Sequence, residues 1–480
     1  MKPRIAAITG AYGAHVQNGV GRFLSGLHRW SLANGLPLHV FSSGDHVRAG
    51  PGLQNIHALA FPVPGGFKAV EAYYPLEGRR KQLRRTIEQL DPDVVHISTP
   101  EAIGMTGLWI ARKQKRPLAG VYHTDFPSFA NNLVRDAVER LLRQRGAAGL
   151  AQCAFDPLWQ WLYPVYEGCT RWWQRWLLGF VLRRVLRRNR ERIDAAARQA
   201  ADWLADGVQS AVREALAQFY GRFNLVIARS ETYREKLLRD LYLSGDRVRT
   251  LRAGVDATMF SPQPSGANAG LRERLGVPCG QPVVLYVGRL TDEKNVGFLA
   301  DAWRAFRNQG NGAVFVAAGS GNLEEFRRRA GDGVYAIGPH HGASLSAIYR
   351  MADAFWTGSA NETLGQVVLE AQASGLPTIV SDQGAARENV RDGRTGRVLP
   401  VDSPVRWARE LRSLLADEGR RAMMGRAARD HAAAHPIEAS YQHYWDLHAE
   451  LHERTAFRSS PTGSGTSPAI ARWTTAASRH

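Results

Sequence analysis

Residues 283–295 read VVLYVGRLTDEKN: an apolar run from Val283 to Val287, a glycine, and a polar stretch that carries Arg289 and Lys294 into a helix-like segment. A short apolar run bounded by a glycine turn has the form of a strand buried on both faces, as in a parallel sheet. The unit repeats downstream. Ala313 to Ala318, Val334 to Gly338, Ala354 to Gly358 and Thr378 to Ser381 are further apolar runs alternating with helix-like sequence. Such alternation predicts an α/β domain with a parallel sheet and crossover helices.

The same texture extends toward the N-terminus. Residues 3–10, 37–43 and 93–98 are short apolar runs, with helix-like stretches such as Gly21 to Ala33 and Glu71 to Leu90 between them. Asp91-Pro92 stops a helix, and Val94-Val95-His96-Ile97 enters the next strand. Leu118 to Tyr122 is another strand, leading into His123-Thr124-Asp125-Phe126-Pro127. From about Arg135 to Gly221 the strand signal stops, and Leu204, Val208, Val212 and Leu216 predict one apolar stripe on a helix. Leu225 to Ala228 then returns as a strand. The expected organisation is an N-terminal α/β domain over 1–250 with a helical insertion at 135–221, and a second α/β domain over 251–435. A C-terminal helix over 436–456 and a disordered tail over 457–480 follow. Ser261 to Gly270, rich in Ser, Pro, Gly and Asn, has the composition of a connector.

Composition narrows the function classes. A chain of 480 residues with 44% hydrophobic content exceeds what one core holds, so two domains and a cleft between them are expected. Cys153, Cys169 and Cys279 form no even framework and match no metal-ligand spacing, which points to a reducing compartment and against a zinc site. The opening MKPRIAAITGAYG is too brief for a signal h-region and lacks a cleavage site, so it reads as a first strand. No run approaches the ~18 apolar residues of a spanning helix. The formal net charge of +18 suits nucleic acid, anionic lipid or a phosphorylated substrate. Much of that charge is local: Arg171 to Arg192 holds eight arginines and one acidic residue among Trp172, Trp173, Trp176 and a run of apolar residues.

Four groups carry candidate chemistry. In Asn18-Gly19-Val20-Gly21-Arg22, two glycines let backbone amides approach an anion at a helix start, although a simple tight turn would use the same residues. Arg289 and Lys294 lie at a strand-to-helix turn, the edge where open α/β sheets bind ligands; a fork and a point charge there suit a diphosphate, or are ordinary surface ions. Glu362 and Glu370, eight apart and opening a helix, are separated by about 80° net at about 100° per residue. Carboxylates so placed accept from hydroxyl-rich ligands, or are merely a dipole-favoured glutamate and an ordinary helical one. His123 stands just past a strand end with Asp125 beside it, a partner or a helix cap.

Taken in order, these elements resemble glycosyltransferase family 4 of the GT-B fold. The matching pieces are NGVGRF, YHTDFP, AGVDATMFSP at 253–262, YVGRLTDEKN at 286–295, and ANETLGQVVLEAQASGLPTIVSDQG at 360–384. The resemblance implies two Rossmann-like domains facing across a cleft and a retaining hexosyltransferase that uses a nucleotide-sugar donor such as GDP-mannose or a UDP-hexose. It implies that Arg289 and Lys294 hold the diphosphate, that Glu370 binds the ribose and Glu362 faces the sugar, and that His123 stands beside the sugar. Backbone at Gly19, Thr363, Leu364 and Gly365 would meet phosphate or sugar, with base contacts near Gly338, Pro339 and His340, and Asp125 adds to the substrate side. No Asp-x-Asp motif occurs in a suitable place, so neither a metal nor another cofactor is expected.

A finer likeness, carried by YHTDFP and FYGRFNLVIARSETYREKL, is to the branch containing mannosyltransferases and sulfolipid or glycolipid synthases. It implies a membrane lipid or lipid-linked glycan as acceptor. The Arg-Trp segment 171–192 would then dock on an anionic membrane surface, giving a cytoplasmic, peripheral protein on the inner face of the cytoplasmic membrane. A soluble acceptor, or a non-catalytic binding module of the same fold, are the alternatives. Nucleic acid is not an expected partner.

Overall fold

The computed structural model describes residues 2–10, 19–42, 50–55, 59–62, 71–74, 77–100, 102–132, 134–135, 190–262, 269–310 and 312–459. The segment 171–189, and with it most of the Arg-Trp stretch, lies outside the described residues, as does the tail from 460.

Two parallel sheets dominate. The first is built from β1 (Ile5–Thr9), β2 (Leu38–Ser42), β3 (Leu53–Asn55), β6 (Val94–Ile97), β7 (Leu118–Tyr122), β8 (Leu225–Ala228) and β9 (Val248–Thr250), in the order β3-β2-β1-β6-β7-β8-β9. A short antiparallel pair, β4 (Leu59–Pro62) and β5 (Glu71–Tyr74), stands apart from it. The second sheet orders β10 (Val283–Val287), β11 (Val314–Ala318), β12 (Val334–Gly338), β13 (Ala354–Thr357), β14 (Thr378–Ser381) and β15 (Gly396–Leu399) as β12-β11-β10-β13-β14-β15. In each sheet the direction of winding reverses once, between β1 and β6 and between β10 and β13. Such switch points open a crevice beyond the strand ends, and open α/β sheets bind ligands there. The stretch 283–295 feeds the second crevice directly.

The strands are buried on both faces because helices cover both. In the first domain Ile8, Val95, Ile97 and Val226 pack under Leu83, Ile87, Ile103 and Phe223, while Ile5, Ala7, Val121 and Ile227 pack under Phe23, Leu27 and Tyr444. The second domain repeats this with Trp303, Trp356 and Trp407 on one side and Ile348, Tyr349 and Leu369 on the other.

Three local expectations are corrected. Glu71 does not begin a helix: Glu71–Tyr74 is β5, and the helix runs Glu77–Leu90. The long helix Arg190–Tyr220 buries Leu216 but leaves Leu204 half exposed, with Ala201 and Ala205 on the buried side instead. Steps of four overshoot a helical turn by about 40° each, so a strict every-fourth-residue series winds off the buried face. Glu362, finally, lies in a loop, and the helix after it is Gln366–Ala373. The helical offset between Glu362 and Glu370 therefore does not apply.

The chain passes between the domains twice. Val255 donates to the His435 carbonyl (2.9 Å) and Ile437 donates back to the Val255 carbonyl (3.1 Å). A Cβ at Gly254 would stand 2.8 Å from the Pro436 carbonyl oxygen, so only glycine lets the passages run this close. The second passage opens the helix Ile437–Ser459, which packs on the first helix (Gly19–Ala33) and on β6.

That return helix is fixed by a buried imidazole pair. His448 Nδ1 donates to the Tyr444 carbonyl (2.7 Å), which leaves Nε2 as acceptor for His96 Nδ1 at 2.9 Å. Burial holds His96 well below the usual imidazole range and pushes His448 down to about 4. Between the ordinary pKa and these lowered values, the unfolded chain takes up protons that the folded chain refuses. This part of the stability is whole above about pH 6.5 and declines as pH falls toward 4, by at most about 1.4 kcal/mol per pH unit and group. Thermal unfolding followed from pH 7 to pH 5 should show a falling midpoint, with a shallower fall in His448→Gln. An unchanged slope in that variant would remove the pair from the account.

Candidate active site

The loops after β10, β11 and β12 converge through glycines. Gly319 lies so close to Gly288 that an added Cβ would overlap the Gly288 carbonyl oxygen at 1.7 Å, and Gly319 N–H donates to the Gly338 carbonyl at 2.8 Å. Gly288 has φ 154°, and the Tyr286 hydroxyl closes the turn by donating to the Arg289 carbonyl (2.7 Å). This tight turn aims the next side chains at the crevice. Arg289 pairs with Glu293, and Lys294 Nζ lies 2.6 Å from Glu362 Oε1, both partners being largely buried. Asn295, in the left-handed region, donates to the Gly358 carbonyl (3.2 Å) and ties the turn to the loop after β13.

The loop that carries Glu362 is fixed by backbone bonds. Ala385 N–H donates to the Glu362 carbonyl (2.8 Å), and Asn389 Nδ2 donates to the Leu364 carbonyl (2.6 Å). Gly365 caps the helix Gln366–Ala373 at φ 75°, where a Cβ would meet Ala386 Cα at 2.8 Å. The N-terminus of that helix, with its positive dipole end, follows directly on Glu362, Thr363 and Leu364. Glu370 is buried within it. The Tyr349 hydroxyl donates to Oε2 (3.0 Å), and Arg22 Nη1 from the first helix lies 3.3 Å from Oε1. Burial raises the Glu370 pKa, and Arg22 and Tyr349 oppose that rise.

From the other domain, β7 and β8 pair with Tyr122 opposite Ala228, so His123 and Arg229 leave the sheet side by side. The His123 carbonyl accepts from Thr363 Oγ1 at 2.8 Å, a direct bond across the cleft. Burial, then the Arg229 charge, hold the His123 imidazole well below its ordinary range, so it is neutral near pH 7. Asp125 is used internally. It accepts from the Ser128 hydroxyl (2.7 Å) and from Tyr122 and Tyr233 (both 3.3 Å), and pairs with Lys236. With four side-chain donors on two oxygens, Asp125 shapes the turn that presents His123 and has little capacity for a ligand. It also accepts from the Ser128 N–H (3.4 Å) at the start of the helical segment 126–132, the capping alternative read from the sequence. A last contact crosses between domains: the Glu388 carboxylate accepts from Glu231 N–H (3.0 Å) and Thr232 N–H (2.8 Å) at a helix N-terminus.

The structure thus brings together Arg289, Lys294, Glu362, Thr363, Leu364, Gly365 and Glu370, and sets His123 against them through Thr363. Gly19 opens the first helix, three residues before Arg22. Arg22, Tyr349, Arg229 and Glu388 carried no assigned role in the sequence reading. Arg22 was visible in NGVGRF, but its reach to Glu370, 348 positions away, is a tertiary fact. Among the described residues no three His, Cys, Asp or Glu side chains converge as a metal-ligand set.

Comparison with known proteins decides the family. Residues 17–206 match the model described as Glycosyltransferase Family 4, and residues 269–431 match Glycosyl transferases group 1. The chain belongs to the glycosyltransferases. It is 29% identical over 238 residues to a D-inositol 3-phosphate glycosyltransferase of Corynebacterium kroppenstedtii, covering 47% of this chain and 53% of that one. It is 28% identical over 321 residues to a GDP-mannose-dependent alpha-mannosyltransferase of Mycobacterium tuberculosis, covering 67% and 63%. The chain spans about half the length of the first curated relatives it matches. Among solved structures, Anabaena HepE in complex with UDP and glucose superposes with a TM-score of 0.61 at 14% identity, covering 93% of this glycosyltransferase and 99% of HepE. The likeness establishes the fold, two Rossmann-like domains of GT-B type, as the sequence resemblance implied.

Gly365 tests the architecture of the site. Gly365→Ala should lower stability by about 1–3 kcal/mol in denaturant unfolding, since both the left-handed φ and the Ala386 backbone oppose a side chain. A loss within error of zero would show that the cap is not constrained as described.

Proposed function

We propose that this glycosyltransferase is a retaining hexosyltransferase that moves a sugar from a nucleoside diphosphate donor to a membrane lipid or lipid-linked acceptor. The observation that carries the reading is the pairing of Lys294 with Glu362 at the switch point of the second sheet, beside Arg289 and facing His123 across the cleft. The two cations of this site are paired with Glu293 and Glu362. A diphosphate offers them stronger, multidentate oxygen partners. Its entry would free Glu362 to accept from sugar hydroxyls. Glu370 would take the ribose hydroxyls once Arg22 lets go.

The chemistry follows from where charge develops. As the donor's glycosidic C–O bond breaks, the ring gains oxocarbenium character and the leaving phosphate gains negative charge. Arg289, Lys294 and the amides at the start of Gln366–Ala373 are preorganised for that negative charge, the kind of stabilisation that often dominates catalysis. In front-face retention the leaving phosphate oxygen takes the acceptor's proton, so no separate base is assigned. His123, held neutral, can hydrogen-bond a sugar hydroxyl without adding a positive charge beside the oxocarbenium ion. No metal is required in this scheme, because side-chain cations hold the diphosphate.

Support for the donor class comes from the mannosyltransferase relative named for GDP-mannose and from HepE, crystallised with UDP and glucose. A panel of GDP- and UDP-sugars should include one that raises the thermal midpoint, by about 2.7 kcal/mol of stability at a hundredfold excess over Kd. With that donor, Lys294→Ala should lower kcat by roughly 10²–10³-fold. If no nucleotide sugar stabilises the chain, the reading fails.

The membrane acceptor rests on the Arg-Trp segment 171–192 and on the likeness to lipid-modifying family members. No described helix is long and apolar enough to cross a membrane. A peripheral position on the inner face of the cytoplasmic membrane agrees with both. The protein should co-sediment with anionic vesicles, and a variant lacking residues 171–192 should not. Equal sedimentation of the two would move the contact elsewhere, and none for either would favour a soluble acceptor.

A further inference from the structure

Arg229 is the residue that the donor-site account does not use. It follows β8 at the C-terminal edge of the first sheet, beside His123, and is only 7% exposed. Its guanidinium carbon lies 4.4 Å from the centre of the Phe23 ring, one turn into the first helix, and its charge acts on both His123 and Tyr441. Its Nη1 is sealed from solvent and has no hydrogen-bond acceptor. Among the described residues no carboxylate pairs with it.

The carboxylates lining the cleft are each occupied by another group. Glu362 holds Lys294, Glu370 holds Arg22 and Tyr349, Asp125 holds Lys236, and Glu388 sits on the amides of Glu231 and Thr232. A guanidinium stays protonated in proteins, so burial leaves a charge that a phenyl face offsets only in part. Burial brings the Arg229 pKa down to about 10, against an opposing pull from Tyr441. An uncompensated buried cation lowers stability, and chains that keep one have a partner for it. Arg229 stands at a strand end between two contacts that cross the cleft, the His123 carbonyl with Thr363 and the Glu231 amide with Glu388, so a partner from outside the chain would reach it from there. The fork of a guanidinium matches phosphate oxygens, and the two cations proposed for the donor diphosphate, Arg289 and Lys294, belong to the opposite domain.

We propose that Arg229 is an anion-binding residue on the acceptor side of the cleft, and that it takes a phosphate group of the acceptor. The proposal rests on the sugar-transfer reading above for the word acceptor, and on the geometry alone for the anion.

The test titrates wild type, Arg229→Gln and Arg229→Met with inorganic phosphate, at ionic strength held constant with chloride. Each titration is run alone and again with saturating GDP or UDP, which fills the donor side. Wild type should bind phosphate in the presence of the nucleoside diphosphate, and both variants should bind it about tenfold or more weakly, the loss of one charged contact. Their nucleoside diphosphate affinity should stay within about twofold of wild type. Their melting temperatures should equal or exceed that of wild type, because an unpaired buried charge has been removed; Arg229→Lys, which keeps the charge, gives a third folded reference. If the variants lose nucleoside diphosphate affinity instead, Arg229 serves the donor and the acceptor assignment is overturned. If all chains respond equally to phosphate, or none does, Arg229 is a structural cation only. A failure of the sugar-transfer reading is seen separately, as the absence of any nucleotide-sugar response, and leaves the phosphate titration without GDP or UDP still decisive for the anion.

Discussion

The double passage between domains is the constraint on which the cleft depends. Residues 252–256 and 435–440 run side by side, joined by the Val255 bonds and by Ser440 Oγ donating to the Arg252 carbonyl (2.6 Å). Gln366, first residue of the helix that carries Glu370, reaches into the same junction by donating to the Gly254 carbonyl at 3.2 Å. That helix is thereby tethered to the point where the domains meet. The return helix then anchors the far end of the chain on the first sheet through His96 and His448, so the segment that leaves the second domain completes the packing of the first.

Within that frame the site is an arrangement of exchanged partners. Lys294 and Glu362, Arg289 and Glu293, and Arg22 and Glu370 each satisfy one another. This answers the physical difficulty of keeping cations and carboxylates in a partly dry cleft: each is paired until a better partner arrives. A substrate must therefore offer more than it displaces. A diphosphate does so through several charged oxygens, whereas an isolated hydroxyl would not. Arg229 has no such internal substitute, which separates it from the rest.

The parts of this architecture legible in the sequence are those set by local rules. Buried parallel strands announce themselves as unbroken apolar runs, so β7, β8, β10, β12 and β14 fall where VVLYV-like stretches and their turns predicted. Short or edge strands lack that signal: nothing in the sequence marks Leu53–Asn55, Val248–Thr250 or Gly396–Leu399, and the stretch that begins at Glu71 is helix-like in sequence although Glu71–Tyr74 is a strand. Arg289, Lys294, Glu362 and Glu370 stood out only in ordered company, because a glutamate near a helix start is unremarkable alone. The loop position of Glu362 depends on Gly365 adopting φ 75°, a backbone choice that glycine permits but does not dictate. Asp125 illustrates the converse. It sits beside His123 in sequence and looks like a ligand residue, yet Tyr233 and Lys236, more than a hundred positions later, fill its oxygens.

The contact between Glu388 and the amides of Glu231 and Thr232 bears on how the cleft opens. With Thr363 on the His123 carbonyl and Arg22 on Glu370, it belongs to a set of domain-to-domain contacts that are polar, while the apolar clusters lie almost wholly in one domain or the other, the return helix counted with the first. Separating such contacts exposes charged and amide groups and little hydrocarbon. Heat capacity of unfolding comes chiefly from newly wetted apolar surface. Opening of this cleft would accordingly be a motion of small heat-capacity change, its enthalpy nearly constant with temperature, and it would respond to dissolved salt, which screens charges over a length of about 10 Å at 0.1 M.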